Sequence, residues 1–183
     1  MPKLSKHTLD DLKKSGLSRG VIDAMHIKDI SPDEMFEIFK SASKALAAGE
    51  YKTLPRVRAY EIPYFDLAGK PNGYCRYKLH DEYISPKSKS PAKYLQLPGT
   101  KPRFYFPPLV DWTSIANTPE QEIYIVEGEK KATALTQLGF PAIGLGGVWS
   151  WRSRENESSD PISDFNLINW KNRKTIIVFD ADV

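Results

Sequence analysis

The chain has 183 residues, enough for one ordinary domain or two small ones. Its 40% hydrophobic content, with four Trp, nine Tyr and eight Phe, separates it from disordered sequences. Its single cysteine, Cys75, excludes an internal disulfide framework and a cysteine-based zinc site. No apolar run reaches membrane-spanning length, and Met1-Pro2-Lys3-Leu4-Ser5-Lys6 lacks the apolar core of a signal peptide, so a cytoplasmic setting away from membranes is expected. The net charge of +3 is too small to mark a nucleic-acid binder, but the charge is unevenly spread. No acidic residue occurs from Tyr83 to Val110, where Lys87, Lys89, Lys93, Lys101 and Arg103 interleave with Tyr94, Phe104, Tyr105 and Phe106. Such a stretch suits phosphates and bases, and equally a solvated loop whose rings belong to the core.

Residues 1–50 read as a helical region. Thr8 is placed to cap a helix through Leu9 and Leu12, and Gly16 to stop it. Ser18 starts a second short helix, and Ser31-Pro32-Asp33-Glu34 a third that carries Met35, Phe36, Ile38 and Phe39 before Leu46 and Gly49.

Residues 51–118 form a β-rich, basic subdomain punctuated by Pro and Gly. Tyr60–Asp66 and Tyr74–Leu79 predict a hairpin, with Ala68–Gly73 as its turn. Lys93–Leu97 and Arg103–Phe106 predict two more extended segments, and Ile115–Glu122 a connector.

Residues 119–183 read as strand, helix, strand, and a last strand. Ile123–Val126 is apolar and β-branched; Ala132, Ala134, Leu135 and Leu138 form a helical stripe; Pro141–Leu145 is the second strand, followed by Gly146-Gly147. The stretch from Trp149 to Lys174 is long and polar, with Arg152, Arg154, Trp151 and Trp170 and a short helix near Phe165–Ile168. Thr175–Phe179 reads as a buried parallel strand, and because such a strand needs a helix over its face, the sequence is expected to be a fragment of a longer protein. The fold class is therefore α+β, ending in an α/β layer with a parallel sheet.

Glu127 follows the first strand of that layer and Asp180-Ala181-Asp182 the last. Carboxylates just past the C-terminal ends of parallel strands lie where open α/β sheets bind ligands. Oxygen donors from two such strands suit a hard cation such as Mg²⁺, which points to metal-assisted phosphoryl chemistry on nucleic acid. Singly, Glu127 reads as a solvated strand end and Asp-x-Asp as a chance pattern; Gly128 and the order of the elements carry the signal.

Val126-Glu127-Gly128 with its Ala/Leu-rich helix, Gly144–Gly147, and Phe179-Asp180-Ala181-Asp182 resemble the TOPRIM domain of replicative primases, topoisomerases and some nucleases. Pro63-Tyr64-Phe65-Asp66, Gly69, Gly73, Arg76 and then Lys93-Tyr94-Leu95 with Pro98 resemble the basic subdomain that precedes TOPRIM in bacterial primases. Together they resemble the catalytic core of a phage or mobile-element primase or primase–helicase, here with a partial TOPRIM domain.

The resemblance implies Mg²⁺- or Mn²⁺-dependent primer synthesis on single-stranded DNA from nucleoside triphosphates, with a replicative helicase, fused or separate, as a further partner. Glu127, Asp180 and Asp182 are the implied metal-binding and catalytic residues. Arg76, Lys78, Lys93 and Tyr94 are implied to track template or triphosphate. Lys130 and Lys131 are implied nucleotide contacts, although a solvated helix face accounts for them equally. The clustered Cys and His of a primase zinc module are lacking, so zinc is not expected; the helices of residues 1–50 stand in that place. Two other readings fit the same residues: another TOPRIM strand-cleaving enzyme, nuclease or topoisomerase-like, or a nucleic-acid-binding fragment without catalysis.

Overall fold

Hydroxyl side chains cap two of the three N-terminal helices. The computed structural model describes residues 3–42, 54–85, 90–153 and 160–180. Helix α1 (Lys6–Lys14) is capped by Ser5, whose Oγ accepts from the Thr8 backbone N–H at 3.3 Å. This corrects Thr8 as the cap. Thr8 lies fully buried inside the helix, and its hydroxyl bonds the carboxylate of Asp29 and lies 2.8 Å from Nε2 of His80. Gly16 ends the turn after α1 at φ 77°, and Ser18 precedes α2 (Arg19–Ala24). At α3 (Pro32–Ala42), Ser31 and Glu34 form the reciprocal pair expected of a capping box: Ser31 Oγ accepts from Glu34 N at 3.3 Å, and the Glu34 carboxylate accepts from Ser31 N at 2.9 Å. These bonds hold the Glu34 carboxyl below the usual range. Leu46 and Gly49 lie outside the described residues.

The chain folds into two compact units. The first is made of Met1–Leu9, His26–Pro63 and Cys75–Thr100. It carries most of the four-stranded sheet of order β1 (Lys28–Ile30), β2 (Ala59–Phe65), β3 (Pro71–Leu79), β4 (Tyr94–Gln96); the β2–β3 tip, Tyr64–Tyr74, is counted with the second unit. β1 runs antiparallel to β2, with Lys28 opposite Glu61 and Ile30 opposite Ala59; β4 runs antiparallel to β3, with Lys78 opposite Tyr94. The hairpin is the expected one, with its second strand starting earlier, at Pro71. β1 is a strand inside the region expected to be helical; three residues are too few for a periodic signal, and pairing with β2 defines it. Met35 and Phe39 of α3 pack with Ile30, Ala59, Tyr77 and Leu79 to form this unit's core.

The second unit consists of Asp10–Met25, Tyr64–Tyr74 and Lys101–Val183. Its parallel sheet has the order β6 (Ala142–Leu145), β5 (Ile123–Glu127), β7 (Thr175–Val178). Ile125 pairs with Ile143 on one side and Ile177 on the other. Ile123, Ile125, Ile143 and Leu145 pack against Phe104, Phe106, Trp112 and Ile115. Helix α4 (Trp112–Asn117) occupies part of the stretch read as a connector: the Asp111 carboxylate caps it by accepting from Ser114 N at 3.1 Å. Arg103–Phe106 makes no named strand; Tyr105 alone forms an antiparallel bridge to Gly144. The expectation of a buried last strand is also corrected. β7 lies at the sheet edge, paired among the described residues with β5 alone, and its Ile177 and Val178 are 64% and 46% exposed.

Helix α5 (Glu129–Gln137) is clasped by the segment from Asp10 to Met25. Gln137 accepts from Ser18 N at 2.9 Å and donates to Gly16 O at 3.0 Å, while Lys130 Nζ lies 3.0 Å from Asp11 Oδ2. Arg173, nearly buried, spreads its guanidinium over four backbone carbonyls: Gln121 (2.6 Å), Ile115 (2.8 Å), Asn169 (2.9 Å) and Ala116 (3.2 Å). It thereby ties α4 and the loop before β5 to the loop before β7.

Two substitutions test this scaffold. Arg173→Met removes the guanidinium from all four carbonyls, of which Ile115 and Ala116 keep backbone donors from Thr118 and Asn169, and is expected to lower unfolding free energy by about 2–3 kcal/mol, with Arg173→Lys restoring only part because a point ammonium cannot span the set; urea denaturation measures both. At Gly144 an added Cβ would meet the Gly128 carbonyl oxygen at 3.0 Å, Tyr105 Cβ at 3.2 Å and Ala132 Cβ at 3.3 Å. Gly144→Ala is expected to cost about 1–3 kcal/mol in the same measurement.

Candidate functional site

Parallel pairing brings two of the three expected carboxylates to one edge. Val126 of β5 is in register with Val178 of β7. Glu127, the last residue of β5, and Asp180, two residues beyond β7, therefore leave the sheet in the same direction. Gly128 makes the turn from β5 into α5 at φ 90°, ψ 154°, a conformation that strains any side chain, and its N–H donates to Leu145 O at 2.7 Å. Glu127 is partly buried and Asp180 is exposed. Asp182 lies outside the described residues. Among the described residues no group of three or more His, Cys, Asp or Glu side chains is assembled for a metal. The donor set of Glu127 and Asp180 consists of carboxylate oxygens only, which is the chemistry that suits Mg²⁺.

The two expected lysines diverge. Lys131 forms an ion pair with Asp180, both side chains about half exposed. It places a cation beside a candidate ligand. Lys130, with its side chain only 17% exposed, turns instead to Asp11, one of the contacts that hold α5 to the N-terminal segment.

The acid just before these lysines, Glu129, ends the acidic run that begins at Glu127 but is not among the expected site residues. Glu129 is 1% exposed at the start of α5, and its Oε1 accepts from the Tyr64 hydroxyl at 2.6 Å. The Tyr64 ring meets those of Tyr105 and Tyr74 edge-on at 5.1 and 4.7 Å. Burial, with the Glu129 carboxylate nearby as a smaller cause, raises the pKa of the Tyr105 phenol, so this hydroxyl stays neutral. Thr133, one turn on from Glu129, lies 3.4 Å from the Tyr105 hydroxyl and donates to the Glu129 carbonyl at 2.8 Å. The group anchors the α5 end of the Glu127-Gly128 turn. Sixty-five residues separate Tyr64 from Glu129, and no local pattern links them.

In the first unit, strand alternation sorts the basic residues. Tyr77 and Leu79 face the core, while Arg76 and Lys78 share the opposite face of β3. Opposite them on β4, the Tyr94 ring receives both cations, Arg76 Cζ at 4.9 Å and Lys78 Nζ at 5.1 Å from its centroid. Lys93, one residue before β4, is exposed. Lys87 and Lys89 lie outside the described residues. Arg103 is committed internally: its Nε donates to the buried Asp164 carboxylate at 2.9 Å, which also accepts from Phe104 N at 2.8 Å.

Comparison with known proteins places this geometry. Residues 111–183 match the family model of a domain of unknown function, DUF3854. An uncharacterized protein of Picosynechococcus sp. is 35% identical over 79 residues, which is 39% of this chain and 8% of that protein. Among solved structures, a DnaG primase catalytic domain bound to ssDNA matches all of this chain and 58% of its own, at 19% identity and a TM-score of 0.54. The DnaG catalytic core matches all of this chain and 67% of its own, at 18% identity and TM-score 0.55. The E. coli primase catalytic core matches 96% of this chain and 56% of its own, at 19% identity and TM-score 0.50. The chain thus spans between about half and two thirds of each of these catalytic cores. With its antiparallel sheet followed by a parallel one, it has the fold of the DnaG primase catalytic core.

Proposed function

We propose that this chain is part of the nucleotidyltransferase core of a DNA primase, making short primers from nucleoside triphosphates on single-stranded DNA. The observation that carries the reading is the end-to-end likeness to primase catalytic cores, one of them bound to ssDNA, joined to carboxylates at one edge of the parallel sheet. Glu127, Asp180 and Asp182 would hold Mg²⁺ or Mn²⁺, whose charge when bound would stabilise negative charge developing on the phosphates. Lys131, beside Asp180, would meet the triphosphate. The face built from Arg76, Lys78 and Tyr94, with exposed Lys93 nearby, would follow the template: the cations neutralise phosphates and the aromatic ring adds a surface for a base. A cytoplasmic phage or mobile-element replication protein, working with a helicase, is the setting proposed for it.

Incorporation of labelled triphosphates on a single-stranded template, in this chain and in a longer protein containing it, tests the assignment. Asp180→Asn is expected to reduce incorporation about a hundredfold or more. Its folding stability should change by less than about 1 kcal/mol, because the Lys131–Asp180 pair is exposed. Lys131→Met should tighten Mn²⁺ binding by about two- to fivefold, measured by electron paramagnetic resonance, since an ammonium no longer competes for Asp180. Full incorporation in Asp180→Asn removes the metal assignment, and strand cleavage without synthesis moves it to a nuclease.

The basic face makes a separate prediction. Arg76→Gln and Lys78→Gln should each weaken binding of a DNA oligomer and lower the slope of log affinity against log salt by about 0.7. Fluorescence anisotropy at several salt concentrations measures this.

A further inference from the structure

The loop after β6 carries a feature that the carboxylate edge does not explain. Glu127 is in register with Leu145, the last residue of β6, so the loop that follows leaves the parallel sheet at the edge where Glu127 and Asp180 stand. Four residues past Leu145, Trp149 is 59% exposed. The Arg152 guanidinium lies over its ring, 4.9 Å from the centroid. A single exposed aromatic residue is ordinary, but this one is fixed from both sides. It sits inside a turn closed by Ser150 N donating to Gly147 O at 2.9 Å. After it, Trp151 packs against the core that includes Ile143 and Leu145, and Arg152 pairs across an antiparallel bridge with Pro161. Ile162 N to Trp151 O at 2.9 Å and Ser153 N to Asp160 O at 2.8 Å flank that bridge. Trp151 is therefore turned into the core while Trp149 is held out in water.

We propose that Trp149 and Arg152 form a stacking platform for an unpaired base of single-stranded nucleic acid. The occupant follows from chemistry. A cation on one face of an indole leaves the other face open to a flat, uncharged ring, and a guanidinium seated on a ring keeps its in-plane N–H donors for a phosphate. One unit then offers a surface for a base and a fork for the phosphate attached to it, the two groups that alternate along a single strand. The inference rests on the reading that this edge handles nucleic acid.

The test uses the 183-residue chain in EDTA, with no triphosphate present. A labelled oligothymidylate and an abasic strand of equal length are compared by anisotropy, and tryptophan emission is followed. The wild-type chain should prefer oligothymidylate, which should quench its emission. Trp149→Ala should lose about 5- to 100-fold on oligothymidylate and nothing on the abasic strand, and Trp149→Phe should recover most of the loss. Arg152→Gln should weaken both strands and lower the salt slope by about 0.7. Equal affinity of wild type and Trp149→Ala for oligothymidylate overturns the proposal, as do equal losses on both strands. Quenching by ATP but not by the oligomer overturns it in favour of a mononucleotide. Because no metal or triphosphate is involved, failure here leaves the carboxylate assignment untouched, and full primer synthesis in Asp180→Asn leaves the stacking result standing.

Discussion

The second unit depends on one close approach, the Gly128 carbonyl against Gly144, where a methyl group would meet that oxygen at 3.0 Å. That contact sets the depth at which the turn between β5 and α5 sits on β6. Tyr105 presses on the same point from outside, exchanging two backbone hydrogen bonds of 2.9 Å with Gly144. The turn is thus held on one side by main-chain contacts with β6 and on the other by the buried Glu129–Tyr64 pair, and the Cα of Glu127 inherits its position from both.

Around that contact, buried polar groups do the joining that apolar packing alone leaves unspecific. Glu129 receives the Tyr64 hydroxyl, Asp164 receives Arg103 and the Phe104 amide, and Arg173 gathers carbonyls from three stretches of chain. Each group satisfies donors or acceptors that have few alternatives inside a protein, so each favours one arrangement of its loops over slightly shifted ones. Ion pairs at the surface, such as Arg58 with Asp81 at 2.6 Å, add little, because water and salt screen them.

Much of this architecture was legible in the sequence wherever the signal was local. The capping box at Ser31 and Glu34, the hairpin around Gly69 and Gly73, and the strand–helix–strand of Ile123–Leu145 each announce themselves within about two dozen consecutive residues. Glu127 and Asp180 were legible as strand-end acids because hydrophobic runs stop at them. Distant pairings were not legible. β1 is defined by β2, some thirty residues later, and Lys130 finds Asp11 across 119 residues. Helix α4 was missed although Asp111 is a sound cap, because its six residues are too few to display a period. β7 shows the opposite error: an apolar run was equated with burial, whereas burial depends on what lies on either side of the strand.

The Tyr105–Gly144 bridge has a further consequence for how the parallel layer can grow. It occupies the outer rim of β6 with a segment of opposite polarity, so no further ribbon can zip onto that side without first peeling Tyr105 away. β7, by contrast, presents its outer row of amides and carbonyls. Among the described residues, an additional strand, from a continuation of the polypeptide or from another molecule, has one open seam to join, and lateral extension of this sheet is directional.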